Sequence, residues 1–162
     1  MRKLFAVTTT VVLIALMICG LTACDKEPEI IETPPPDEVF AALEDAGFFE
    51  AALTMRDVPE SRLSDLHIVP DDAVSFVAKE AAISAVFLQL ILIEAHSERL
   101  GAVHTAMLEY QSALQQNATA YPQGAVAAAA SRVGSRGNLI WLICDGRAIE
   151  IEQAIIDLIT GE

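Results

Sequence analysis

The chain has 162 residues, 53% of them hydrophobic, with 23 acids against ten bases, three histidines and three cysteines, for a formal net charge of −13. That length accommodates an export segment and one ordinary domain but not a second domain. The acidic excess argues against nucleic acid and anionic headgroups as partners, because binding either begins with a basic patch that neutralises phosphate.

Met1-Arg2-Lys3 is a short basic start, and Leu4 to Gly20 is uncharged and apolar apart from Thr8, Thr9 and Thr10, the composition of a secretory signal. The stretch closes with Leu21-Thr22-Ala23-Cys24, which resembles the bacterial lipobox: a branched residue, two small residues, then the cysteine that receives diacylglycerol before the signal is cut ahead of it. Two acyl chains at about 0.8 kcal/mol per buried methylene hold a protein on a bilayer where a single chain barely does. The expectation is a signal over residues 1–23, lipidation at Cys24, and a mature protein on the extracytoplasmic face of the cell membrane. An uncleaved membrane anchor and a freely secreted protein are the alternatives. Losing Arg2 and Lys3 with the leader lowers the formal charge by two, to −15. Asp25 resembles an inner-membrane retention signal if the host has two membranes.

Residues 24–37 comprise the lipidated cysteine and an acidic, proline-rich tether, DKEPEIIETPPPD. Residues 38–162 are left for a single domain. Over Glu38 to Leu53 apolar residues recur at helical spacing, which predicts one or two short helices with Asp37 as N-cap and a break at Gly47. Val58 to Leu66 predicts another short helix, and Pro70-Asp71-Asp72 a turn. Ile83 to Glu94, ISAVFLQLILIE, is a run of β-branched and large apolar residues too short for a membrane span, and predicts a long central strand. Ser97 to Asn117 predicts a helix capped by Ser97, with Leu100, Val103, Met107, Tyr110 and Leu114 on one stripe. Pro122 opens a further short helix. Gly134 to Asn138 reads as the turn of a hairpin leading into a strand from Leu139 to Cys144. Asp145-Gly146 then turns the chain into a last helix with Ile151, Ala154, Ile155, Leu158 and Ile159 inward. The fold class is therefore α+β, a small, mainly antiparallel sheet of three or four strands packed by several helices.

The signal with its lipobox, the acidic tether, the apolar strand, Leu114-Gln115-Gln116 ahead of Tyr121-Pro122, the hairpin around Gly137 and the closing helix together resemble a family of small bacterial lipoproteins of unknown function. The resemblance covers roughly residues 38–160. It implies an envelope lipoprotein, mostly of single-membrane bacteria, and supplies no catalytic residues.

Chemistry is sparse along the mature chain. His67, His96 and His104 form no H-x-x-x-H pair, and the acids Asp57, Glu60, Asp65, Asp71 and Asp72 lack a D-x-D-x-D-G loop, so no metal site is expected. Gly134-Ser135-Arg136-Gly137 lacks the Lys-Ser/Thr of a phosphate-binding loop, and no G-x-S-x-G or S-x-x-K occurs. Neither a catalytic set nor a cofactor is expected. Cys144, the one cysteine left beyond Cys24, reads as a buried structural thiol; a nucleophile would want exposure and a nearby base.

The strands offer a further clue, because both faces of each are apolar: Val86, Leu88, Leu90 and Leu92 against Ala85, Phe87, Ile91 and Ile93, and Leu139, Trp141 and Ile143 against Ile140, Leu142 and Cys144. Either helices of the same chain cover both faces, or a protein partner or second copy closes part of one. The leading expectation is a noncatalytic envelope module that binds a protein or other surface ligand. The rivals are a small envelope hydrolase or transferase, with Cys144, Asp145 and a histidine as first suspects, and a solute-binding lipoprotein.

Overall fold

A computed structural model describes residues 33–49, 55–82, 88–117 and 122–161, within a folded unit spanning Ile31–Glu162. The signal, Leu21, Thr22, Ala23, Cys24 and residues 25–32 of the tether lie outside the described residues, as does Tyr121. The class is α+β: among the described residues, five strands form one antiparallel sheet packed by four α-helices, one strand more than expected. In chain order they are α1 (Pro36–Asp45), β1 (Met55–Asp57), β2 (Ala73–Ala81), β3 (Gln89–Ala95), α2 (Leu100–Asn117), α3 (Pro122–Ala130), β4 (Arg132–Arg136), β5 (Leu139–Cys144) and α4 (Ala148–Thr160). The sheet order is β1-β2-β3-β5-β4, so β3 is central between β2 and β5, and the β4–β5 hairpin folds back with β4 at the edge.

The register of β3 against β5 sorts the apolar side chains cleanly. Leu90 faces Ile143, Leu92 faces Trp141 and Glu94 faces Leu139 on one side of the sheet; Gln89 faces Cys144, Ile91 faces Leu142 and Ile93 faces Ile140 on the other. The first side is closed by Val39, Phe40 and Leu43 of α1 and by Ala148, Ile151 and Ile155 of α4. The second is closed by Val103 and Met107 of α2, Ala127 and Ala128 of α3, and Val58, Leu63, Leu66 and Ile68 of the segment before β2. Helices of the one chain thus cover both faces, the first of the two arrangements weighed from the sequence.

Several elements differ from their expected form, each for a local reason. Helix α1 starts at Pro36, whose ring presets the helical φ, so Asp37 lies in the first turn and no side chain caps the helix. It ends at Asp45 ahead of Gly47 at φ 78°; the expected continuation to Leu53 falls partly on residues 50–54, outside those described. Val58 to Leu66 is not an α-helix but two single 3-10 turns, Glu60–Arg62 and Ser64–Leu66, closed by Leu63 N–H to Glu60 O and Leu66 N–H to Leu63 O. The long strand begins only at Gln89, and residues 83–87 lie outside the described ones. Before it runs β2, which sequence reasoning missed. Ser97 is not the cap of α2: it opens a 3-10 turn, Ser97–Arg99, and His96 holds the cap position without a side-chain bond. The inward stripe of α4 follows Ile151, Ile155 and Ile159 at four-residue spacing, which leaves Leu158 40% exposed.

The hairpin turn is shorter than expected, just Gly137-Asn138 between paired Arg136 and Leu139, with Gly137 at φ 56°. Gly134 serves a different end, as the cross-strand partner of Trp141. The indole lies so close over its backbone that a Cβ there would sit 2.5 Å from Trp141 Cε2. Trp141 is held in that position from α4, where its Nε1–H donates to Glu152 Oε1 (3.1 Å) while Arg132 Nε–H donates to Glu152 Oε2 (2.8 Å). Gly134→Ala is expected to lower the unfolding free energy by about 1–3 kcal/mol through displacement of the indole; an unchanged urea midpoint, followed by Trp141 fluorescence, would contradict this contact.

Candidate functional site

Side chains with chemistry collect in one row across the end of the sheet where β5 finishes. Arg56 of β1, Glu80 of β2, Gln89 of β3 and Cys144 of β5 are successive cross-strand partners, and opposed residues of antiparallel strands share a face. Glu80 sits between two guanidiniums: Arg56 donates through Nη2 (2.8 Å) and Nε (3.2 Å) to Oε1, and Arg62 donates through Nη1 to Oε1 (2.9 Å) and Oε2 (2.8 Å). The carboxylate is 13% exposed and the two arginines about half exposed. Gln89 is buried and accepts at Oε1 from the Tyr110 hydroxyl (3.0 Å). Burial raises the Tyr110 phenol above its ordinary value, with the bond to Gln89 opposing it.

Cys144 completes the row at 1% exposure. Burial first, and then the charge of Asp145, push its thiol up to about 11, the opposite of what a nucleophilic thiolate needs. No histidine is among the causes of that shift. Asp145 is engaged as a turn residue, its Oδ1 accepting from the Arg147 N–H (2.6 Å). Cys144 is thus a buried thiol and Asp145 a turn residue.

The three histidines stand apart from one another. His67, at φ 57°, closes the 3-10 turn before Ile68, with its ring 6.0 Å from that of Tyr110 and Nδ1 3.8 Å from Glu109 Oε2. His96 precedes α2 at the other end of the sheet, where its N–H donates to Asp72 O (3.1 Å). His104 lies half-buried on α2, one residue from Val103 of the apolar stripe. Among the described residues no three His, Cys, Asp or Glu side chains converge as a metal site would require. A cavity between the 3-10 turns and α2, lined in part by His67, Val69, Asp72 and Ala106, measures about 40 Å³. Sites for small organic ligands usually hold some 300–1,000 Å³. This cavity is no solute-binding cleft.

At the opposite end of the sheet a second polar set ties elements together. Glu94 accepts from the Ser75 hydroxyl (2.8 Å) and from Asn138 Nδ2 (3.0 Å), and the Thr33 hydroxyl donates to Asn138 Oδ1 (2.6 Å). Close by, Arg99 grips Asp72 through two bonds of 2.7 and 2.8 Å, which hold the Asp72 carboxyl below the usual carboxylate range. Of the residues in these two sets, Cys144, Tyr110, Asp72 and Asn138 stand out in the sequence, each for a reason other than these bonds, and Gln89, Glu80, Arg56, Arg62 and Ser75 do not. Pairing Glu80 with Arg56 and Arg62, or Glu94 with Asn138, requires the register.

No family model, curated protein or solved structure matches the chain. Among the described residues no helix is long and apolar enough to cross a membrane.

The state of Cys144 has a pH consequence. A thiol whose pKa is raised in the folded protein adds stability that is complete below its unfolded pKa and is lost as pH climbs through the folded one. The unfolding free energy is expected to fall between pH 9 and about 11, less steeply in Cys144→Ala, with Tyr110 contributing in the same sense. Equal slopes for wild type and variant, from urea titrations across that range, would contradict the buried, protonated thiol.

Proposed function

We propose that the chain is a bacterial envelope lipoprotein: it is exported, acylated on Cys24, cut ahead of that residue, and held on the extracytoplasmic face of the cell membrane as a noncatalytic binding module. The observation that carries this reading is the order of segments. An apolar leader ends in Leu21-Thr22-Ala23-Cys24, an acidic proline-rich stretch follows, and the folded unit starts at Ile31 with its first helix at Pro36. A folded domain that begins just beyond a short polar spacer is the arrangement an acyl anchor requires, since the spacer separates the headgroups from the first packed element. The resemblance to small lipoproteins of unknown function points the same way.

The binding role is supported by how the polar groups are used. Glu80 and Glu94 at the strand ends and Glu152 on α4, all half-buried carboxylates, each hold two partners within the fold. Cys144 is buried as a thiol. Such groups brace a scaffold. A protein partner or second copy meets this scaffold on outer helix surfaces, where Val126 and Ile149 are 67% and 70% exposed, or along the outer edge of β4, since the sheet faces are occupied.

Intact mass and metabolic acyl labelling in the host, for wild type and Cys24→Ala, test the anchor. The expected result is a diacylated chain beginning at Cys24 in wild type and no acyl label in the variant. Retention of Met1 without modification would make the leader a membrane span instead, and a cut without lipid would make the protein a secreted one.

A further inference from the structure

We infer that the anchored domain stands with the Thr33–Asn138 end of its sheet toward the membrane and presents the Arg56–Glu80–Gln89–Cys144 end outward, an inference that rests on acylation of Cys24. The place where the chain enters the domain is defined by hydrogen bonds. Thr33 is tied to Asn138 in the β4–β5 turn, Asn138 to Glu94 at the end of β3, and Glu94 to Ser75 near the start of β2. The Ala95 N–H donates to Asn138 O (2.9 Å), locking the turn onto the same strand end. The tether therefore leaves from one identified pole of the sheet.

Tether length turns that exit point into an orientation. Cys24 and Thr33 are nine residues apart in the chain, a span of about 28 Å in the polyproline II conformation and about 32 Å at full extension. The seven residues of β3 run for about 23 Å from one pole to the other. Bringing the far pole to the headgroups would require the tether to lie fully extended along the domain, with Asp25, Glu27, Glu29 and Glu32 pressed against an acidic protein and an anionic surface. Asp37, Glu38, Asp71 and Glu98 are exposed at the near pole, so charge keeps it from docking on anionic headgroups while the short tether limits how far it can move away. The outward pole carries Arg56, Arg62 and Arg147, each 44–56% exposed, and it is the surface that other envelope components reach first.

Energy transfer from site-specific dyes to a headgroup acceptor reads this orientation. Full-length protein acylated in its host is purified and placed in phosphatidylglycerol vesicles containing headgroup-labelled phosphatidylethanolamine, with a donor dye at Ser97→Cys or Gly146→Cys. Both positions are exposed, a Cβ at Gly146 meets nothing within 4 Å, and the buried thiol of Cys144 stays unlabelled. Ser97 lies at the near pole and Gly146 at the far one, a separation on the order of 20 Å, so transfer from Ser97 is expected to exceed that from Gly146 by about two-fold or more. Equal transfer, or more from Gly146, in vesicle-bound protein would overturn the orientation while leaving the anchor intact. Absence of vesicle association in protein with Cys24 unaltered would overturn the anchor, and the orientation with it.

Discussion

The inner strands β3 and β5 have no side that tolerates water, and the rest of the fold answers that constraint. Leu90, Leu92, Trp141 and Ile143 point one way and Ile91, Ile93, Ile140 and Leu142 the other, all at most 3% exposed. Burying each such side chain contributes roughly 1.5–3 kcal/mol, and leaving either face open would create an apolar patch larger than soluble monomers keep. Each face is closed by a pair of helices. The first and last helices, α1 and α4, close one face from the two ends of the domain sequence, and α2 with α3, inserted between β3 and β4, close the other. That is why the folded unit needs the residues just beyond the tether as much as it needs its C-terminal helix.

Two bonded polar sets at the strand ends divide the labour, beside a third in which Glu152 of α4 holds Arg132 and Trp141. One, around Glu94 and Asn138, fixes the point at which the tether enters; the other, around Glu80, fastens the three-residue edge strand β1 and the turn carrying Arg62 to β2. The half-buried carboxylates Glu80, Glu94 and Glu152 are engaged within the fold, and Cys144 is buried as a thiol.

Much of this architecture was legible because it rests on periodicity. The alternation through Gln89 to Glu94 and Leu139 to Cys144, the stripe from Leu100 to Leu114 and the role of Pro122 depend on local pattern, and the structure repeats them. Strand β2 was not legible: in AVSFVAKEA only Ala78 and Ala81 are buried, Lys79 and Glu80 interrupt the apolar pattern, and an irregularity at Ala73/Ser75 shifts its alternation. The caps failed for a similar reason, since Asp37 and Ser97 have suitable side chains but Pro36 and a 3-10 turn set the actual starts. Gly134 looked like a turn residue because glycine's usual role is conformational; what the fold uses is its missing side chain, and only the register with Trp141 reveals that. The polar sets join residues as far apart as Thr33 and Asn138, so no window of sequence contains them.

Closure of both sheet faces within one chain is the claim on which the rest stands, and the chain's one tryptophan reports it directly. Trp141 is 3% exposed, on the face covered by α1 and α4. Acrylamide quenching of its fluorescence, in protein produced without residues 1–24 and diluted from micromolar to nanomolar concentration, is predicted to stay low and unchanged throughout. Quenching that rises on dilution would show that a second copy, rather than the chain's own helices, covers the indole.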